Sequence, residues 1–177
     1  MSEILKAILV VLVVAAGIYD FRYRRIPNWL NLSGLILGFG LNIYLTSLSG
    51  LSGACLGLLC ALAVYVPLYL LRGMGAGDVK LMAAIGAIAG PHNWLLIFAA
   101  TAIAGGVIGL IAVALKNRIW QTAYNVFLIL YELCHFRVPA NTQSQLDVRN
   151  SGGLRLPHGI AIASGSLIFV FAGALIR

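Results

Sequence analysis

Long apolar runs separated by short polar segments dominate the chain. Most of these runs approach the roughly 20 residues that an α-helix needs to cross a bilayer. A tight turn at Ser49-Gly50-Leu51 is predicted between the second run and the third. The predicted long spans are Ile4 to Tyr19, Trp29 to Leu48, Ser52 to Leu71, His92 to Leu115 and Pro157 to Ile176.

Two further segments differ from these long apolar spans, one because it is short and the other because it is amphipathic. Val79 to Ala89 is a helical pattern that stops at Gly90-Pro91. It is too short to cross a bilayer alone, so we expect neighbouring helices or a wet cavity to shield it. Ile119 to Cys134 carries aromatic residues at helical spacing and is predicted to be amphipathic or re-entrant. Asn28 is predicted to cap the second span.

Together these segments predict an all-α, polytopic membrane helix bundle with about six transmembrane helices. Residues 1–177 form one predicted integral membrane domain, with a cytosolic or interfacial insert at about 116–156. Glycine pairs four residues apart are predicted to let helix backbones approach closely in lipid. These pairs are Gly34/Gly38, Gly53/Gly57, Gly86/Gly90 and Gly105/Gly109.

The composition excludes an ordinary soluble domain. Hydrophobic residues make up 61% of the chain and charged residues only 10%, whereas soluble domains have about 45–50% apolar and about 25% charged residues. A domain of this size cannot hide that excess in a core, because small domains leave much of their surface exposed. Lipid must therefore surround most of the chain.

The net charge of +7 follows from topology and not from a nucleic-acid surface. Segments 20–28, 72–80 and 116–156 hold ten of the twelve lysines and arginines. Cytosolic loops carry such an excess, so these segments are predicted to face the cytosol and both termini to lie outside. No nucleic-acid partner is expected.

The three cysteines, Cys55, Cys60 and Cys134, form no C-x-x-C pair. A zinc site or a disulfide framework is therefore not indicated, and small apolar packing residues are the better interpretation. We expect no metal and no cofactor.

Only five residues are acidic, which draws attention to Asp20 and Asp78. Asp20 closes the first span and Asp78 opens the short fourth helix, so two predicted crossings between them return the chain to the same face. Two carboxylates that meet tend to share one proton, and such a pair can activate water and protonate an amide. Gly75 and Gly77 remove side chains just before Asp78, which lets an extended peptide come close.

Other functions fit the same residues. Each aspartate alone is more often a helix cap or an interfacial charge. The pair could serve a small proton- or cation-coupled membrane transporter, and the chain could instead be a structural subunit of a secretion apparatus. Lys80 could orient substrate or change the pKa of Asp78, but the favoured interpretation is that its side chain simply extends to the interface. For His158, a capping or interfacial role is favoured over a role in the site.

Three motifs resemble those of the type IV prepilin peptidases, which are membrane aspartic proteases. Gly75-Ala76-Gly77-Asp78 resembles their Gly-x-Gly-Asp signature. Asp20, followed by Arg25-Ile26-Pro27-Asn28, resembles the segment of the first aspartate, and Pro157-His158-Gly159 resembles the carboxyl-terminal motif. The likeness extends from the first span to the last.

The resemblance implies an endopeptidase in a bacterial or archaeal cytoplasmic membrane, with Asp20 and Asp78 as the catalytic pair at the cytosolic face. Its substrate would be a prepilin, whose short basic leader is cut off before an apolar helix. The chain is similar to the minimal Tad/Flp type, without a methyltransferase domain. The particular pilin, the oligomeric state, the role of the insert and the pairing of the aspartates without substrate stay open. The supporting residues implied are Gly75, Gly77, Lys80, Pro27, Asn28, Pro157 and Gly159.

Overall fold

The structure, a computed structural model, describes residues 1–71, 74–115 and 158–175. In these ranges it contains four helices and no strand, which confirms the all-α prediction there. The insert predicted at about 116–156, the segment Ile119 to Cys134 and Pro157 lie outside the described residues. The helices are α1 (Glu3–Tyr23), α2 (Asn28–Leu70), α3 (Ala76–Leu115) and α4 (His158–Leu175).

Helix α1 extends beyond the first apolar run at its carboxyl end. Ser2 caps its start, because the Ser2 hydroxyl oxygen accepts a hydrogen bond from the Leu5 N–H at 3.4 Å. Arg24 ends it in the left-handed conformation, with φ of 53°, and donates its N–H to the Asp20 carbonyl at 2.9 Å. Asp20 therefore lies inside the last helical turn and not in a loop.

Helix α2 is broken at Ser47, whose φ of 55° and ψ of −131° are not helical. The chain folds back there, because Gly50 lies against the Asn42 carbonyl, eight residues earlier. In an unbroken helix these residues would be about 12 Å apart along the axis. The turn predicted at residues 49–51 is therefore placed wrongly. Those residues are helical, and the Ser49 hydroxyl donates to the Thr46 carbonyl at 2.6 Å.

Helix α3 is broken at Gly90, where φ is 74°, and Pro91 follows. The break lies where Gly90-Pro91 predicted it. Val79 and residues 81–89, which precede it, are buried, and only Lys80 is exposed, so neighbouring helices shield this short segment as predicted. The Asn42 amide donates to the carbonyls of Ala87 and Ile88 at 3.0 and 3.3 Å, close to the end of the helical segment.

Glycines allow the closest contacts between α2 and α3. A Cβ on Gly57 would overlap with the Gly86 carbonyl, and a Cβ on Gly86 would overlap with that of Gly57. On the other half of α2, a Cβ on Gly34 would lie 2.7 Å from a Leu12 methyl carbon, and one on Gly38 would lie 2.9 Å from Ile88. The prediction that small residues bring backbones together is confirmed for Gly38, Gly57 and Gly86. Gly34 instead accommodates the Leu12 side chain of α1, and around a Cβ on Gly53 nothing lies within 4 Å.

The chain is a membrane protein by the length and composition of its helices. Helices α1, α2 and α3 are long and apolar enough to cross a bilayer, and α4 contains a shorter apolar stretch, His158–Gly173. The predicted total of about six spans stays a prediction. Large apolar side chains lie on the outer surface of all four helices, including Val11, Leu48, Leu115 and Phe171.

Candidate active site

Asp20 is a buried carboxylate held by the start of α4. Only 7% of its surface is exposed, and its Oδ2 atom accepts a hydrogen bond from the Gly159 N–H at 2.8 Å. Gly159 lies in the first turn of α4, where backbone N–H groups have no partner within the helix. This N–H and the positive end of the helix dipole both stabilise negative charge on Asp20.

The contact between Asp20 and Gly159 leaves no room for a side chain at residue 159. A Cβ there would lie 2.7 Å from the Asp20 Cβ and 2.9 Å from its Oδ2. Real Cβ atoms essentially never approach other heavy atoms so closely. The contact with Asp20 therefore explains why the carboxyl-terminal motif has a glycine at residue 159.

Asp78 lies in the first turn of α3, in a turn closed by Gly75. The Asp78 N–H donates to the Gly75 carbonyl at 3.2 Å, and the Gly75 N–H donates to the Asp78 Oδ2 atom at 3.3 Å. A Cβ on Gly75 would lie 3.4 Å from that same oxygen. Gly75 thus holds the Asp78 carboxylate against the backbone at the start of α3.

The fold brings the two aspartates into one site. Asp20 and His158 both lie close enough to Asp78 to interact electrostatically with its carboxylate. Asp20 comes from the end of α1, Asp78 from the start of α3, and His158 with Gly159 from the start of α4. The site is therefore assembled from three helices that are distant in sequence.

The motif after Asp20 contacts the motif around Asp78. A Cβ on Gly77 would lie 3.4 Å from the Ile26 Cβ, and the Asn31 side-chain amide donates to the Gly77 carbonyl at 3.3 Å. Lys80 donates from Nζ to the Asn28 Oδ1 atom at 2.9 Å. These contacts join the start of α2 to the start of α3.

Asn28 does not have the role predicted for it. It is the first residue of α2, and Pro27 occupies the capping position without a side-chain hydrogen bond. The fixed φ of proline suits the start of a helix. The Asn28 side chain is thus free to accept a hydrogen bond from Lys80, an arrangement that helix patterns do not predict.

We expect the Lys80–Asn28 hydrogen bond to stabilise the contact between α2 and α3. In a double-mutant cycle of Lys80→Met and Asn28→Ala, a coupling of about 0.2–1 kcal/mol in the free energy of unfolding is expected, as for an exposed interaction of a charged side chain. Unfolding in detergent micelles measures it. Lys6 bonds Glu3 on α1 instead, so Lys6→Met should show no coupling with Asn28→Ala. Equal coupling for both lysines would contradict the role of this bond.

Two site residues were not identified by their sequence pattern. Tyr65 is in the second half of α2 and interacts electrostatically with Asp78. With His158 and Asp78 it lines a cavity of about 250 Å³, hereafter the Asp78 cavity. The capping or interfacial role favoured for His158 does not account for this position. Tyr65 was missed because it lies within an apolar run, where a tyrosine usually serves packing.

An aromatic cluster supports Tyr65. Its ring meets those of Trp94 and Phe98 edge-on, with centroids 6.3 and 5.9 Å away, and Trp94 stacks on Phe98 at 5.5 Å. Such contacts between aromatic rings stabilise beyond the area they bury. The second halves of α2 and α3 are thereby fixed to one another beside Asp78.

The cysteines that the structure describes do not line the Asp78 cavity. Cys55 and Cys60 are half-buried free thiols on α2. Within residues 1–71, 74–115 and 158–175, no three side chains of His, Cys, Asp or Glu form a group that could hold a metal ion.

Comparison with known proteins identifies the family of this chain. The family model described as the type IV leader peptidase family matches residues 7–110, more than half of the chain. The chain belongs to the type IV leader peptidase family. The matched region includes Asp20, Asp78 and Tyr65, whereas α4 lies beyond it.

The chain is also similar to a curated protein from Xanthomonas campestris pv. campestris. The chain is 35% identical over 113 residues to its prepilin leader peptidase/N-methyltransferase. The alignment covers 60% of this chain and 39% of that relative. No solved structure matches the chain.

Proposed function

We propose that this member of the type IV leader peptidase family is an aspartic endopeptidase that removes the short leader of a type IV, Flp-like prepilin. Asp20 and Asp78 form its catalytic pair, and they act on water without a metal or a cofactor. The observation that carries the proposal is the convergence of the two acids at the start of α4, where Asp20 accepts the Gly159 N–H and Asp78 interacts with Asp20.

Hydrolysis of an amide by this pair requires one carboxylate to act as a general base and the other as a general acid. One carboxylate takes a proton from water as the water oxygen bonds to the carbon of the scissile amide, and the other, which is protonated, gives its proton to the amide oxygen. The first then gives the proton from water to the leaving nitrogen, and the second takes a proton back from a hydroxyl of the tetrahedral intermediate. The C–N bond breaks and yields a carboxylic acid and an amine. The Gly159 N–H holds the Asp20 carboxylate in position for this reaction.

The family match and the printed name of the Xanthomonas relative support a prepilin as the substrate. We infer a multi-pass protein of the cytoplasmic membrane whose site faces the cytosol, with both termini outside. This orientation follows from the excess of basic residues in segments 20–28, 72–80 and 116–156. A basic leader in the cytosol, followed by an apolar helix in the membrane, then places the cleaved bond near the two aspartates.

Mass spectrometry of purified protein mixed with a candidate prepilin tests the proposal. The expected result is a loss of mass equal to the leader, with cleavage at the border between the basic leader and the apolar helix. A panel of prepilins that all remain intact with folded protein would contradict the peptidase activity. Ion-dependent flux in proteoliposomes, without cleavage of any prepilin, would favour a transporter instead.

A further inference from the structure

An open groove runs along the contact between α1 and α4. Its volume is about 620 Å³, within the roughly 300–1,000 Å³ of sites that hold small ligands. Arg22 is the one charged residue among the described residues that line it, so we name it the Arg22 groove. The rest of its lining is apolar and includes Val14, Ile18 and Phe21 of α1 with Ile160, Ala163 and Leu167 of α4.

The length and position of the groove match one leaflet of a bilayer. From Val14 to Arg22, α1 rises by about 12 Å, and one leaflet contributes about 15 Å of the roughly 30 Å hydrocarbon core. Aromatic residues are enriched where the membrane meets water. They cluster at the Arg22 end of the groove, where the Tyr19 ring lies 5.8 Å from that of Tyr23 and 6.1 Å from that of Trp29. The guanidinium therefore lies at the level of lipid headgroups, and the apolar lining lies at the level of acyl chains.

Arg22 has no anionic partner among the residues that the structure describes. Its guanidinium lies 5.7 Å from the centroid of the Tyr23 ring, and the ion pair on the same helix joins Lys6 to Glu3 instead. A guanidinium binds phosphate through two parallel hydrogen bonds, and the cytosolic leaflet of a membrane carries anionic phospholipids. A basic peptide such as a prepilin leader would be repelled by Arg22. Charge thus favours a lipid phosphate at this end of the groove.

We propose that the Arg22 groove binds one anionic phospholipid, with its phosphate on the Arg22 guanidinium and an acyl chain along the apolar lining. The groove borders the hydrogen bond from Gly159 to Asp20. The residue that follows each of these two in the chain, Ile160 or Phe21, lines the groove. A lipid in the groove therefore contacts both helices and holds α4 against α1 beside the buried carboxylate. Binding of this lipid does not require the proposed peptidase activity.

Replacement of Arg22 tests the headgroup contact. Native mass spectrometry of the protein, released from detergent micelles, measures the number of bound lipids and their Kd. We expect one phosphatidylglycerol to bind the unmodified protein, and phosphatidylcholine to bind about fivefold or more weakly, because its headgroup has no net charge. Arg22→Gln should raise the Kd of phosphatidylglycerol by about tenfold or more, since charge-assisted hydrogen bonds to the phosphate are lost.

Arg25→Gln is the matched control for this change. Arg25 is exposed and lies three residues after Arg22 in the same basic segment, but it does not line the groove. Its attraction to the lipid acts only at a distance and is screened by salt. We therefore expect Arg25→Gln to change the Kd of phosphatidylglycerol by about threefold or less.

A pair of valines tests the place of the acyl chain. Val14 lines the groove, whereas Val11, about one turn earlier on α1, is exposed and does not line it. Val14→Trp fills part of the groove and should raise the Kd of phosphatidylglycerol by about tenfold or more, the effect of keeping about two methylene groups of the chain out of an apolar site. Val11→Trp adds the same side chain outside the groove and should change the Kd by about twofold or less.

Several results would overturn the lipid site. Equal Kd values for the two lipids, or equal Kd values for phosphatidylglycerol in Arg22→Gln and Arg25→Gln, would remove the headgroup contact. An unchanged Kd in Val14→Trp would remove the acyl chain from the groove. A folded, unmodified protein that retains no lipid, or that forms a dimer in its place, would assign the groove to another occupant. If Arg22→Gln does not fold, Val14→Trp and the comparison of the two lipids on the unmodified protein still decide the question.

Discussion

Asp20→Asn and Asp78→Asn are each expected to lower the rate of leader removal by about 10³-fold or more. Asparagine keeps the size of the side chain and an oxygen that can accept a hydrogen bond, but its amide cannot take or give the proton. Positioned general acids and bases typically contribute about 10²–10⁴-fold. The two losses should not add, since the pair acts as one unit. Single-turnover cleavage of a prepilin, followed by mass spectrometry, measures the effect.

Glu3→Gln is the matched control, because it makes the same chemical change on the same helix as Asp20→Asn. Glu3 forms a surface ion pair with Lys6 at 2.9 Å, far in sequence from the site, so Glu3→Gln should cleave normally. All three variants should insert and unfold at temperatures close to that of the unmodified protein. Full processing by either aspartate variant would rule out the aspartic mechanism.

Apolar runs and breaker residues were enough to predict most of the helices in the part of the chain that the structure describes. The break at Gly90 was predicted because proline follows it and cannot continue the hydrogen bonds of the preceding turn. The break at Ser47 was misplaced to residues 49–51, since serine and glycine together suggest a turn. In the structure, serine hydroxyls bond to preceding carbonyls and the helix continues. Local composition therefore predicted that the chain turns back in this region, but it did not predict the residue at which α2 is broken.

The candidate site was predictable only in part. Asp20 and Asp78 were identified because acids are scarce in the chain and because an even number of crossings places both on one face. Their contacts depend on helix packing, which a sequence pattern does not encode. The hydrogen bond from Lys80 to Asn28 and the place of Tyr65 beside Asp78 arise from this packing.

The position of Asp20 illustrates why packing decides the chemistry. Near the carboxyl end of α1, the helix dipole of α1 alone disfavours a negative charge on Asp20. The amino-terminal turn of α4 offsets this, since the Gly159 N–H donates to the buried carboxylate at 2.8 Å. The sequence around Asp20 gives no sign of this contact, because its partner is more than a hundred residues away in the chain. The hydrogen bond to the Asp20 carboxylate thus depends on how closely α4 approaches α1.

Gly159→Ala is expected to lower kcat for leader removal by about 10²-fold while all candidate catalytic groups stay present. The added methyl group would lie 2.7 Å from the Asp20 Cβ, so α4 must move away or Asp20 must turn. Either movement lengthens the hydrogen bond to Asp20, and a displacement of about 1 Å in a catalytic site can cost about 10²-fold. Overpacking of this kind also destabilises proteins by about 1–3 kcal/mol. Cleavage rates and unfolding in detergent micelles measure the two effects.

Gly173→Ala is the control on the same helix, because nothing lies within 4 Å of a Cβ on Gly173. Both variants replace a glycine of α4 by alanine, yet only Gly159→Ala adds a methyl group next to a carboxylate. We expect Gly173→Ala to cleave at the unmodified rate and to be no less stable. If Gly159→Ala and Gly173→Ala behave alike, the approach of α4 does not position Asp20. Its hydrogen bond to the backbone of α4 would then have no part in the reaction.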